Sequence, residues 1–183
     1  MVKATHLIRV ANEADLLDIA RVHVSSWQDA YKGVLPEAIL STRSLEGSLS
    51  GWRSTQCKYP RNLTVACSEA GAIWGFCCAG AVVDEARCSP FGFEIYGLHV
   101  EPNRRRQGIG AALLQEALAR AKHMAANPSA IVWTLRELRL SRQFYEREGG
   151  RLVKRGQWSI GGQTFPEVAY GWKFPIRAAA AYS

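Results

Sequence analysis

Arg104, Arg105 and Arg106 stand directly before Gln107, Gly108, Ile109, Gly110 and Ala111. Those residue types at that spacing can hold a phosphorylated ligand. The first amides of a helix lack internal partners, and the aligned peptide dipoles put partial positive charge there. Gly108 and Gly110 let the main chain approach an anion with no Cβ in the way. The arginines supply forked cationic donors beside it. Other phosphate motifs fit less well. A dinucleotide Gly-x-Gly-x-x-Gly turn needs glycine where Leu113 stands and a parallel βαβ unit around it. A P-loop needs a Gly-Lys-Ser/Thr ending, and a nucleic-acid patch would be longer and interleaved with aromatics. A basic loop ahead of an ordinary helix is the plain alternative.

Glu94 is the second residue of chemical interest. It is the one carboxylate in the strand-like run Phe91 to Val100, and an acid in a central strand is costly unless paired or functional. Alternation groups Glu94, Tyr96 and Leu98 on one face and turns Ile95 to the other.

The elements that must position these residues follow from periodicity. Leu7 to Val10 reads as a strand. Asn12 and Asp15 open a helix whose apolar stripe runs Leu16, Ile19, Ala20, Val24, Trp27 and Tyr31 and stops at Gly33. Pro36 opens a short helix through Leu40, and Ser48 to Gln56 is a weaker helical piece. Leu63 to Cys67 and Ala72 to Val83 form a hairpin about Glu69-Ala70-Gly71. Asp84 to Pro90 reads as loop, Phe91 to Val100 as strand and Gly108 to Ala126 as a strong helix. Ile131 to Leu135 is a strand, Leu138 to Glu148 a helix closed by Gly149-Gly150. Arg151 to Ile160 and Thr164 to Trp172 are the last strands, about a Gly161-Gly162 turn. This order predicts a mixed α/β fold with helices against a largely antiparallel sheet. One domain is expected over 1–176, with a frayed tail over 177–183.

The 183 residues are 48% hydrophobic and 21% charged, as in ordinary globular chains. The net charge of +7 suits a polyanionic partner or simply a solvated basic surface. Five cysteines without Cys-x-x-Cys spacing read as buried thiols. Cys77 and Cys78, adjacent in a strand, would face opposite sides of a sheet. His6, His23 and His123 lack ligand spacing, so no metal is expected. No signal peptide or membrane span is read from the sequence, and a cytoplasmic location is expected.

The run His99-Val100-Glu101-Pro102-Asn103-Arg104-Arg105-Arg106-Gln107-Gly108-Ile109-Gly110-Ala111-Ala112-Leu113-Leu114 resembles motif A of the GNAT superfamily of N-acetyltransferases. Arg105, Gly108 and Gly110 match its Arg/Gln-x-x-Gly-x-Gly/Ala core. Val132 to Gly149, with Phe144-Tyr145-Glu146-Arg147, is similar to motif B. The resemblance implies two central strands that splay to hold the pantetheine arm of acetyl-CoA. Main-chain groups near Leu98, His99 and Val100 would pair with that arm, and the stretch from Arg105 to Ala111 would cradle the pyrophosphate. Ser141, one turn before Tyr145, would also touch the coenzyme.

The resemblance further implies Glu94 as general base and Tyr145 as proton donor to the departing thiolate. Trp27 and Tyr31, with Tyr96, would wall the acceptor site, although helix-stripe aromatics are equally core residues. Leu138 stands where the family often has asparagine. The implied activity is acetyl transfer to a primary amine of a small or amino-acid-like acceptor. A protein or peptide amine and a non-catalytic acyl-CoA sensor are the alternatives. No nucleic-acid or membrane partner is expected, and the two C-terminal strands offer a homodimer edge.

Overall fold

The computed structural model describes residues 6–124 and 127–175; the 177–183 tail lies outside the described residues. In chain order the elements are β1 (Leu7–Val10), α1 (Leu16–Tyr31), α2 (Glu37–Leu40), α3 (Leu45–Lys58), β2 (Leu63–Cys67), β3 (Ile73–Ala81), α4 (Glu85–Cys88), β4 (Phe93–Val100), α5 (Ile109–Lys122), β5 (Ser129–Leu135), α6 (Arg139–Arg147), β6 (Arg151–Ile160) and β7 (Gln163–Lys173). The strands form one seven-stranded sheet in the order β1-β2-β3-β4-β5-β7-β6. All neighbours are antiparallel except β4 and β5.

Both sheet faces are covered. One carries α5 and α6, whose Ile109, Leu113, Leu114 and Tyr145 pack on Cys77, Ala79, Phe93, Ile95 and Val132. On the other, Leu16, Ile19 and Val22 of α1 pack on Leu63, Val65, Phe76 and Cys78. Cys77 and Cys78 therefore do lie in opposite cores. Four cysteines are buried and free, whereas Cys57 is exposed. Beside α1, α4 seats Cys88 over Ile131 and Ala169 on the same face.

The feature that makes a site is the β4–β5 pair. Their pairing covers only Phe93–Ile95 against Ala130–Val132. Both strands run on, to Val100 and Leu135, without meeting again. A wedge therefore opens between their C-terminal ends, with main-chain groups of Gly97 to Val100 along one wall.

Three expectations need correction. The register between β3 and β4 shifts so that Cys78 faces Gly97 and Ala79 faces Ile95. Tyr96 is thus an extra residue, a β-bulge, which re-phases every side chain after it. Leu98 does not share the Glu94 face but packs with Ile95 in the α5 core. His99 comes round instead to the α1 face. The second correction is α3, longer than the weak piece expected from Ser48 and begun by Ser44, whose Oγ accepts the Gly47 N–H at 3.0 Å. Third, the expected loop Asp84 to Pro90 contains α4, capped by Asp84, whose carboxylate accepts the Arg87 N–H at 2.9 Å.

Candidate active site

The loop from β4 into α5 is shaped for an anion. Arg106 takes φ 61° and Gly108 φ 85°, the alternation of left-handed with other residues from which anion-binding nests are built. The helix ladder of α5 first draws on Ala112, which donates to Gly108 O at 3.0 Å, so the amides of Ile109, Gly110 and Ala111 stand ahead of it. Gly110 lies inside α5, where a Cβ would stand 3.5 Å from Phe144 and 3.7 Å from Leu98. This donor row at a helix N-terminus, with Gly108 as its hinge, fits a pyrophosphate. The arginine side chains do less than their sequence position suggests. Arg105 is ion-paired to Asp29 of α1, Arg104 stacks on Trp74 at 4.6 Å, and Arg106 is exposed.

Tyr145 projects from α6 toward the sheet and is buried against Tyr170 and Trp172. Its hydroxyl has no hydrogen-bond partner among the described residues, and burial, with Cys77 and Tyr31 nearby, pushes its pKa up. Ser141, half-buried, lies one turn earlier on the same helix. Leu138 is buried with Trp27, Ile39 and Leu40. The departure from asparagine thus swaps a polar contact for an apolar one that ties α6 to α1 and α2.

Glu94 is only 7% exposed on the face covered by α4. Desolvation raises its pKa, offset in part by the Cys88 thiol and Arg87. Glu167 of β7 is its neighbour, also raised by burial and by the Glu94 charge, though Arg87 binds both its oxygens at 3.0 and 2.8 Å. Tyr96 stands on this side as well, its hydroxyl donating to Ala81 O.

On the α1 side of the wedge, aromatic residues of distant elements converge. Trp27 and Tyr31 of α1 lie 4.2 Å apart between centroids, and Trp158 of β6 stands edge-on to Trp27 at 6.0 Å. Ile39 of α2 meets the β6–β7 turn, where a Cβ on Gly161 would come within 2.9 Å of it. Behind this wall two histidines meet, with ring centroids 4.8 Å apart. His23 Nδ1 accepts from Trp52 Nε1 at 3.1 Å and lies 2.8 Å from Ser48 Oγ. Since indole only donates, the His23 proton sits on Nε2. Ser26 Oγ donates to His23 O at 3.1 Å and lies 2.9 Å from His99 Nδ1. With its one proton so placed, Ser26 accepts from Nδ1–H and leaves His99 Nε2 as a lone pair above Gly97. Desolvation first, then Arg43, pushes His23 down to about 4; burial, then His23 and Arg43, pushes His99 down to about 3.

Of the residues singled out by sequence, the structure brings Leu98, His99, Val100 and the Arg105–Ala111 loop to one side of the wedge. Tyr145 and Tyr31 approach it from opposite faces of the sheet. Glu94 and Tyr96 lie near its closed end. Sequence reasoning missed Glu167, Arg43, Trp158 and the His23–His99 pair. Glu167 carried the same signal as Glu94, a carboxylate in an apolar strand. For the others no local signal exists.

The fold recurs in known proteins. A model of the acetyltransferase (GNAT) family matches residues 25–150. The chain belongs to that family. It is 30% identical over 165 residues to a Bacillus subtilis protein named uncharacterized N-acetyltransferase YuaI, covering 90% of this chain and 91% of the relative. Its fold is similar to the PaiA N-acetyltransferase of Thermoplasma acidophilum in complex with coenzyme A, with TM-score 0.69, 19% identity and 93% and 99% of the two chains covered. It also resembles YncA, a putative acetyltransferase of Salmonella typhimurium solved with acetyl-CoA, with TM-score 0.68, 16% identity and 98% and 99% covered. As a GNAT member the chain is an acetyl-CoA-dependent N-acetyltransferase. No described helix is long and apolar enough to cross a membrane.

Proposed function

We propose that the chain acetylates the primary amine of a small, amino-acid-like acceptor by direct transfer. The observation that carries this reading is the wall on the acceptor side. Trp27, Tyr31, Leu35, Ile39 and Leu40 pack with Leu135, Trp158 and Phe165 across the mouth of the wedge, where a peptide substrate would need an open groove. Bound acetyl-CoA supplies an activated thioester. Amides from Arg105 to Ala111 hold its pyrophosphate, and main-chain groups of Leu98, His99 and Val100 align its pantetheine arm, with Ser141 alongside.

An alkylammonium titrates near ~10.4, so a proton must leave before attack. Glu94 takes that proton, directly or through water. Burial keeps the carboxyl's pKa above the ordinary range, and so closer to the working pH than an exposed carboxylate. Tyr145, with a hydroxyl unspent on any described residue, returns a proton to the sulfur. Trp27 and Tyr31 hold the acceptor, and Tyr96 flanks Glu94. A screen of primary amines with free-thiol detection tests the reading: transfer to small amines and little to peptides is expected. Efficient transfer to peptides alone would contradict it. Tyr145→Phe is expected to cut turnover roughly 10-fold while leaving coenzyme affinity unchanged.

A further inference from the structure

Arg43 lies in the loop between α2 and α3, half-buried, its guanidinium carbon 4.2 Å from the centre of the Trp27 ring. Among the described residues the other half-buried arginines each have an oxygen partner. Arg9 has Asp15, Arg87 has Glu167, Arg104 has Glu101 and Arg105 has Asp29; Arg120 and Arg142 bind main-chain carbonyls. Described arginines without an oxygen partner are exposed, and Arg43 is the exception. A desolvated cation with no counter-charge is unfavourable unless a ligand supplies one.

Its surroundings say which ligand. Arg43 is close enough to push His23 and His99 away from their charged forms. Trp27, 5% exposed, offers a second donor, an indole N–H that is buried without a partner. Indole and guanidinium can only donate, so together they call for an acceptor oxygen. The Tyr31 hydroxyl lies within electrostatic reach of both Arg43 and Glu167.

We propose that Arg43 binds an oxyanion of the acceptor, so that the substrate is a small zwitterion carrying a primary amine and a carboxylate or phosphonate. This rests on the small-amine reading above. The amine faces Glu94 and Glu167, the anion lies against Arg43, and the Trp27 and Tyr31 rings bracket the carbon between them.

The test compares matched acceptors with acetyl-CoA: leucine against isoamylamine, phenylalanine against phenethylamine, and 1-aminoalkylphosphonates against the same amines. The anionic member is expected to have the higher kcat/KM. In Arg43→Gln that preference falls on the order of 100-fold, and Arg43→Lys recovers part of it. Calorimetric coenzyme A affinity stays at the wild-type value in both variants, which separates anion recognition from misfolding. Comparison of the carboxylate and phosphonate arms assigns the oxyanion. Equal turnover of amino acids and plain amines overturns the inference while leaving the small-amine reading standing. An unchanged preference in Arg43→Gln overturns it too, and a loss of coenzyme affinity in a variant that still melts at the wild-type temperature overturns it by assigning Arg43 to a coenzyme phosphate. No transfer to any small amine removes both.

Discussion

The two sides of the β4–β5 wedge are built from different materials. On the side proposed for the coenzyme lies one continuous stretch, Arg105 to Ala111, whose main chain is set by a left-handed Arg106 and Gly108. On the side proposed for the acceptor the walls are side chains from α1, the α2–α3 loop, β4 and β6, brought together only by tertiary packing. A main-chain site tolerates change in its side chains but not in its dihedral angles. A side-chain site is the reverse, and can be re-specified one residue at a time.

The sharpest way to break this contrast is at Gly108. A β-branched residue is strained at φ 85°. Gly108→Val is expected to weaken coenzyme A binding by roughly 100-fold or more, read by calorimetry. Gly110→Ala, with right-handed helical geometry and room at 3.5 Å from Phe144, should bind normally and melt no earlier than wild type. Equal loss in both would mean that the glycines serve space rather than dihedral angle.

Next in size is Glu94→Gln, expected to lower kcat about 100-fold with coenzyme affinity unchanged. Because burial raises the Glu94 pKa, the wild-type kcat/KM should fall on the acid side above the ordinary carboxylate range, and that limb should vanish in the variant. Wild-type turnover in Glu94→Gln would remove it from the mechanism and leave Glu167 as the remaining buried carboxyl for the base role.

The smallest effect concerns stability. His23 and His99 are held neutral, with pKa values lowered to about 4 and about 3 from 6.5. Unfolding lets both take up protons, so their contribution to stability is complete above pH 6.5 and is lost as pH falls toward those values. Glu94 and Glu167, raised by burial, act oppositely: their contribution is present below the ordinary 4.5 and is lost as pH rises through their folded values. The histidine part is isolated by difference. Between pH 6 and 5, His99→Asn should lose less stability than wild type, by up to about 1.4 kcal/mol per pH unit. Parallel denaturation profiles would contradict a neutral buried imidazole.

Legibility in the sequence followed the same division. The strand–turn–helix unit around Gly108 was readable because glycine positions, a helix start and a preceding strand are local features. The split of Cys77 from Cys78 in β3 followed from alternation. Past Tyr96 alternation failed, since a bulge depends on the register with β3, which no pattern within β4 encodes. His99 was accordingly read for its main chain alone, although its ring joins His23 across the α1 interface. Arg43 was invisible for a related reason: a lone loop arginine acquires meaning only when its burial and its missing partner are known. Glu167 could have been found by the reasoning applied to Glu94.

The most direct measurement is amide hydrogen exchange of the full chain with and without coenzyme A. The account predicts that protection on binding is largest from Arg105 to Ala111 and along Leu98 to Val100, with far smaller changes at Trp27, Arg43 and Trp158. Protection concentrated on the acceptor-side elements, with the Arg105–Ala111 amides unchanged, would contradict it.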